Sequence, residues 1–127
     1  MIAAAGAQQP GSDWERTARE IANCIVARPA EYPTAAVAAM ADLVILLQTT
    51  GRPSPIVAPG YWPTFQVWWE SAGVDDLWLE VFSDLIEVYH RTERLFDVWD
   101  ELHSPGQPFS DEFVAAMPLP LQTGSET

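Results

Sequence analysis

The sequence predicts an all-α fold: a compact bundle of four to five helices dominated by one long helix over about 76–103. Three observations predict it. From Asp76 to His103 the apolar residues keep one period. With Trp78 as heptad position a, the a positions are Trp78, Leu85, Thr92 and Trp99. The d positions are Val81, Val88, Leu95 and Leu102, and the e positions are Phe82, Tyr89, Phe96 and His103. Such a stripe belongs to a core-facing helix. Second, Ala35 to Thr50 is apolar nearly all round, as a helix at the centre of a bundle is. Third, the chain offers no two convincing strands to pair, and an isolated strand is unstable.

In chain order, 1–11 reads as a flexible N-terminal tail closed by Pro10 and Gly11. A single helical domain then spans 12–117. Ser12-x-x-Glu15 has the form of a capping box, and Trp14, Ala18, Ile21 and Ile25 give the first helix one buried face before Pro29 ends it. Thr34 is the expected N-cap of the second helix, and Gly51 its C-terminal glycine. Arg52 to Pro63 is rich in proline and reads as irregular chain with a short extended piece at Ile56 to Ala58. Over Thr64 to Ala72, Phe65, Val67 and Trp69 alternate as in a strand, while Trp62, Phe65, Trp69 and Ala72 fit a helical face. With no partner strand in view, a short helix is expected there.

Gly73 breaks that helix and Asp75 caps the long one. A helix of that length runs about 42 Å, against about 35 Å for a domain of this size. It must therefore kink at the polar cluster from His90 to Arg94, or project and pack on another subunit. A homodimer through its stripe is conceivable, although Thr92 weakens the seam. Ser110 is placed to cap a last short helix, Asp111 to Met117, and 118–127 reads as a C-terminal tail.

The net charge is −12, and between Glu70 and Glu112 twelve acids face two arginines, so the charge is concentrated in one third of the chain. Such a field repels nucleic acid and anionic membrane and attracts basic surfaces. No direct nucleic-acid or membrane binding is expected. The lone Cys24 excludes a disulfide framework and suits a reducing compartment. The start lacks the positive n-region and apolar run of a signal peptide, and the longest apolar run, Ala35 to Leu47, is too short to span a bilayer. A cytoplasmic protein is expected.

Glu87-x-x-His90 has the ligand spacing of di-iron carboxylate helices, which need the motif twice. It occurs once, and both residues fall off the apolar stripe, so no metal site or cofactor is expected. Cys24 has no evident base beside it, the carboxylates lie on a solvated face, and phosphate loops, nucleophile elbows and zinc-protease motifs are missing. No catalytic residue is assigned.

The acids themselves point elsewhere. Glu80, Asp84 and Glu87 follow one another on the helix with no cation among them, and Asp97, Asp100 and Glu101 repeat the crowding. Like charges so spaced cost stability, whereas excess acid can serve solubility or steer a basic partner. Adjacent Trp68 and Trp69 cannot both face one side, and an exposed tryptophan among acids has the composition of an interface hot spot. The expectation is a small acidic protein-binding module, an inhibitor, immunity protein or chaperone-like adaptor. It would dock a basic partner protein through Glu80, Asp84, Glu87, Asp97, Asp100, Glu101 and Trp68. The alternatives are a nucleic-acid mimic that blocks a DNA- or RNA-binding protein, and a helical enzyme or metal-dependent subunit.

Overall fold

Between Asp76 and His103 the chain reverses twice, at Ser83–Asp84 and around Thr92–Leu95, and the expected long helix is three strands. The computed structural model describes residues 10–70 and 76–120. Over these the all-α expectation fails: a five-stranded antiparallel sheet is backed by three helices. The strands are β1 (Ile56–Pro59), β2 (Phe65–Trp68), β3 (Asp76–Val81), β4 (Leu85–Arg91) and β5 (Phe96–Leu102), each beside the next in a simple meander. The helices are α1 (Pro10–Ala27), α2 (Thr34–Thr49) and α3 (Asp111–Ala116).

The physical reason lies in the residue types. Val81, Ile86, Val88 and Val98 are β-branched, Trp78, Tyr89, Phe96 and Trp99 are aromatic, and both classes suit a pleated surface better than a helix. The polar cluster expected to kink a helix is instead the β4–β5 turn. There the Thr92 N–H donates to the Leu95 carbonyl (2.8 Å), and the Thr92 hydroxyl accepts from the Leu95 N–H (3.1 Å). The Phe82 N–H closes the β3–β4 turn on the Leu85 carbonyl (2.9 Å). The expected short helix over 64–72 is likewise replaced, by β2, because β1 and β3 supply the partners it lacked in the sequence. Residues 71–75, including the expected cap Asp75, lie outside the described residues, as do most of both expected tails.

Register fixes two faces. Val57, Val67, Leu79, Val88 and Trp99 form one row across all five strands, and Phe65, Val81 and Ile86 lie in the next. These rows face the helices. α2 lays Ala36, Ala39, Met40, Leu43 and Leu47 into the same core, and α3 adds Phe113. Leu79, Leu43 and Met40 are completely shielded from water, so truncating any of them to alanine costs about 2–5 kcal/mol.

The helices are placed by local chemistry. α1 starts at Pro10, a residue suited to the first helical position, so Ser12 lies inside the first turn and not ahead of it. α2 ends as expected at Gly51, whose positive φ of 71° lets the Gly51 and Arg52 amides reach back to the Gln48 and Leu47 carbonyls. Ser110 caps α3, its hydroxyl accepting from the Phe113 N–H at 3.1 Å. No helix among the described residues is long and apolar enough to cross a membrane.

Candidate functional site

The face of the sheet turned away from the helices carries two rows of chemistry. Ile56, Trp68, Trp78, Tyr89 and Val98 cross the strands in one row, and Ala58, Gln66, Glu80, Glu87 and Asp100 in the adjacent row. One row is aromatic and the other acidic. Trp78 and Tyr89 stack almost parallel, with centroids 5.2 Å apart, and Phe96 lies 6.1 Å from Trp78. At the Trp68 end an open hollow of about 390 Å³ is lined by Gln66, Trp68, Trp69, Asp76, Leu77 and Trp78. Arg91 stands at this end as well, tied to Asp76 at 2.6 Å.

Glu80 and Glu87 are held in place. The Thr64 hydroxyl donates to Glu80 Oε2 (2.5 Å), and the Tyr89 hydroxyl donates to Glu87 Oε1 (2.7 Å). That hydrogen bond, followed by burial and by the charges of Glu87, Glu80 and Asp100, pushes the Tyr89 phenol up to about 12. The phenol therefore stays a neutral donor. Carboxylates directly opposite one another across a strand pair destabilise a sheet, and Glu87 has one on each side. The arrangement combines fixed negative charge with flat aromatic surface, the two features that bind a guanidinium or ammonium group.

Of the residues singled out in the sequence, Glu80, Glu87, Asp100 and Trp68 come together on this face. Asp84 sits in the β3–β4 turn, exposed, its carbonyl accepting the His103 N–H. Asp97 is exposed but belongs to the opposite side of the sheet, in register with His90. Glu101 is buried: its two oxygens take the Ser110 N–H (2.8 Å) and hydroxyl (2.7 Å), so it anchors α3 and cannot meet a partner. The acidic helix face is therefore corrected to an acidic row on a sheet. Trp78, Tyr89, Phe96 and Leu102 escaped the sequence reading because a helical period assigned them to a core, and Val98 because it fell outside that stripe. Their mostly aromatic and β-branched character was the overlooked signal.

The other candidates resolve simply. Glu87 and His90 lie three apart on a strand, so their side chains leave opposite faces and cannot share an ion. Among the described residues no cluster of His, Cys, Asp and Glu could hold a metal. Buried Cys24 lies beside Tyr32, with Glu20 also near, and desolvation raises its thiol. His103, on the helix side, bonds Asp42 of α2 through Nε2 at 2.8 Å and stacks on Phe109. Its Nδ1 is buried without a hydrogen-bond partner among the described residues, and no hydroxyl or thiol is bonded to it as a nucleophile would be to its base. The Asp42 oxygen also accepts the Gly106 N–H (2.8 Å), which makes this pair a clamp holding the loop after β5 to α2. The chain matches no protein-family model, no curated protein and no solved structure.

Proposed function

We propose that the chain is a protein-binding module that receives a basic partner on the outer face of its sheet. The observation that supports this most is the row Glu80–Glu87–Asp100 in direct cross-strand register beside the row Trp68–Trp78–Tyr89, on a face the described helices leave uncovered. A sheet selected for stability alone would alternate charges there. Fixed acids accelerate encounter with a cationic surface, and the aromatic row supplies the desolvated area that holds it. A cytoplasmic setting belongs to the same proposal, supported by the lone, buried Cys24.

The test is capture from the producing cell at low and high salt. It is followed by stopped-flow association of the recovered basic protein with the native chain and with the Glu80→Gln, Glu87→Gln, Asp100→Asn triple variant. Association should slow by about tenfold or more at low salt while the fold is retained. Trp78→Ala should act on dissociation instead. An unchanged association rate for the triple variant rejects this use of the face.

A further inference from the structure

The two edges of the sheet are finished in opposite ways. At β1, Glu20 of α1 accepts the Val57 N–H (2.9 Å), and Thr17 and Arg16 donate to the Pro55 carbonyl (2.7 and 3.3 Å). Pro59 offers no N–H at all. This edge is closed to further pairing, as natural sheets arrange. β5 has none of these devices. The bonds from Thr92 N–H to the Leu95 carbonyl and from His103 N–H to the Asp84 carbonyl set the phase of the β4–β5 ladder. By the alternation of an antiparallel pair, Phe96, Val98, Asp100 and Leu102 turn their N–H and C=O groups away from β4. Among the described residues no hydrogen bond reaches those groups.

The same residues are open on their side-chain face. Phe96 is 55% exposed, Val98 52% and Leu102 78%, and Asp100 is exposed between them. β5 is seven residues long and contains no proline, lysine or arginine. A strand of that length with an apolar rim and free backbone is a template for another strand.

We infer that β5 takes an extended, positively charged segment of the partner protein as a sixth strand. The inference rests on the proposed function for the sign of the partner's charge. A second copy of the chain would bring its own Asp97 and Asp100 against the same carboxylates, and each chain carries a net charge of −12. A cationic segment reverses that repulsion. Register dictates its pattern: a lysine or arginine beside Asp100 completes the row Glu80–Glu87–Asp100. Another beside Asp97 points to the opposite face, an apolar residue beside Val98 extends the row from Trp68 to Val98, and apolar residues beside Phe96 and Leu102 cover the exposed side chains at either end of the strand. Main-chain bonds supply affinity and alternate side chains supply choice.

The experiment uses the full chain and a capped peptide as long as β5, Val-Thr-Arg-Thr-Val-Arg-Val, with amide exchange followed by NMR. Paired antiparallel, its first, third, fifth and seventh residues direct their amides to β5. At saturating peptide the Val98, Asp100 and Leu102 amides should exchange about tenfold or more slowly. N-methylation of the third and fifth residues should abolish that protection, whereas N-methylation of the second and sixth should leave it. No slowing at millimolar peptide overturns strand addition. Equal binding of both methylated peptides, with shifts confined to Trp78 and Tyr89, overturns it too while leaving the proposed function standing. Equal protection by a peptide with glutamate in place of both arginines overturns the charge selection and the proposed function together. Protection of the same amides without peptide, rising with chain concentration or vanishing on removal of 118–127, assigns the edge to a second copy or to the chain's own end and overturns the inference.

Discussion

Replacing Asp100 with lysine should stabilise the protein and, in the same stroke, weaken its binding to a basic partner. Asp100 is exposed and lies directly opposite Glu87, whose other neighbour is Glu80. Removing one like-charge cross-strand pair is worth about 0.2–1 kcal/mol, and creating an opposite-charge pair in its place adds a similar amount. The sum is about 1 kcal/mol. For 127 residues the unfolding entropy makes that about 4 °C in Tm, or about 0.7 M in the urea midpoint. Urea titration of the native chain and Asp100→Lys in 20 mM salt reads it directly. Because Asp100 is exposed and Glu87 only half-buried, the gain should fall toward zero in 1 M salt, where the screening length is about 3 Å. A variant no more stable than the native chain at low salt, or a gain that survives 1 M salt, refutes the claim that this row is held at a cost.

Three further outcomes follow from single contacts. Gly60→Ala should lower the urea midpoint by an amount equivalent to about 1–3 kcal/mol, since an added Cβ would overlap the buried Thr64 hydroxyl and the Glu80 carboxylate it bonds. At Asp42, burial favours the neutral acid and is the largest influence, but the Gly106 amide and His103 together outweigh it and leave the carboxyl below its ordinary value. A depressed carboxyl contributes stability above the unfolded value, near 3.9, that is lost as pH falls through the lower folded one. The stability gap between the native chain and Asp42→Asn should therefore be full at pH 6 and close below about pH 4. Burial of Tyr32 and the Glu87 bond to Tyr89 push both phenols up to about 12. The stability they contribute is present below about pH 10 and lost between there and pH 12. In an ultraviolet titration Glu87→Gln should bring one phenolate transition back toward 10.

Much of the helical part was legible. Pro29, Gly51 and Ser110 punctuate the chain where α1, α2 and α3 stop or start, because these residues act through their own backbone or a near neighbour. The sheet was not legible for a specific reason. A strand with one wet face alternates cleanly, but β3, β4 and β5 place Trp78, Leu85, Tyr89, Phe96 and Leu102 on the outer face as well. Apolar residues on both faces erase the period of two, and an intervening two-residue turn such as Ser83–Asp84 is short enough to pass for the polar side of a helix. The acids were visible as an excess, but which of them gather depends on register. Glu87 and Asp100 are thirteen positions apart in the chain and neighbours in the sheet. Glu101, adjacent to Asp100, points the other way and holds Ser110, the residue that caps α3.

The order of elements along the chain also sets a hazard during synthesis. α1 and α2 leave the ribosome before β1 to β5. α2 then displays Met40, Leu43 and Leu47, completely buried in the finished fold, without the sheet that covers them. The meander that will cover them forms from consecutive strands, whose pairing is local and fast, but it needs the chain as far as β5. A nascent chain halted within β3 shows more of its core than one that has cleared Leu102. That interval is when it is most prone to aggregate and most in need of a holding chaperone.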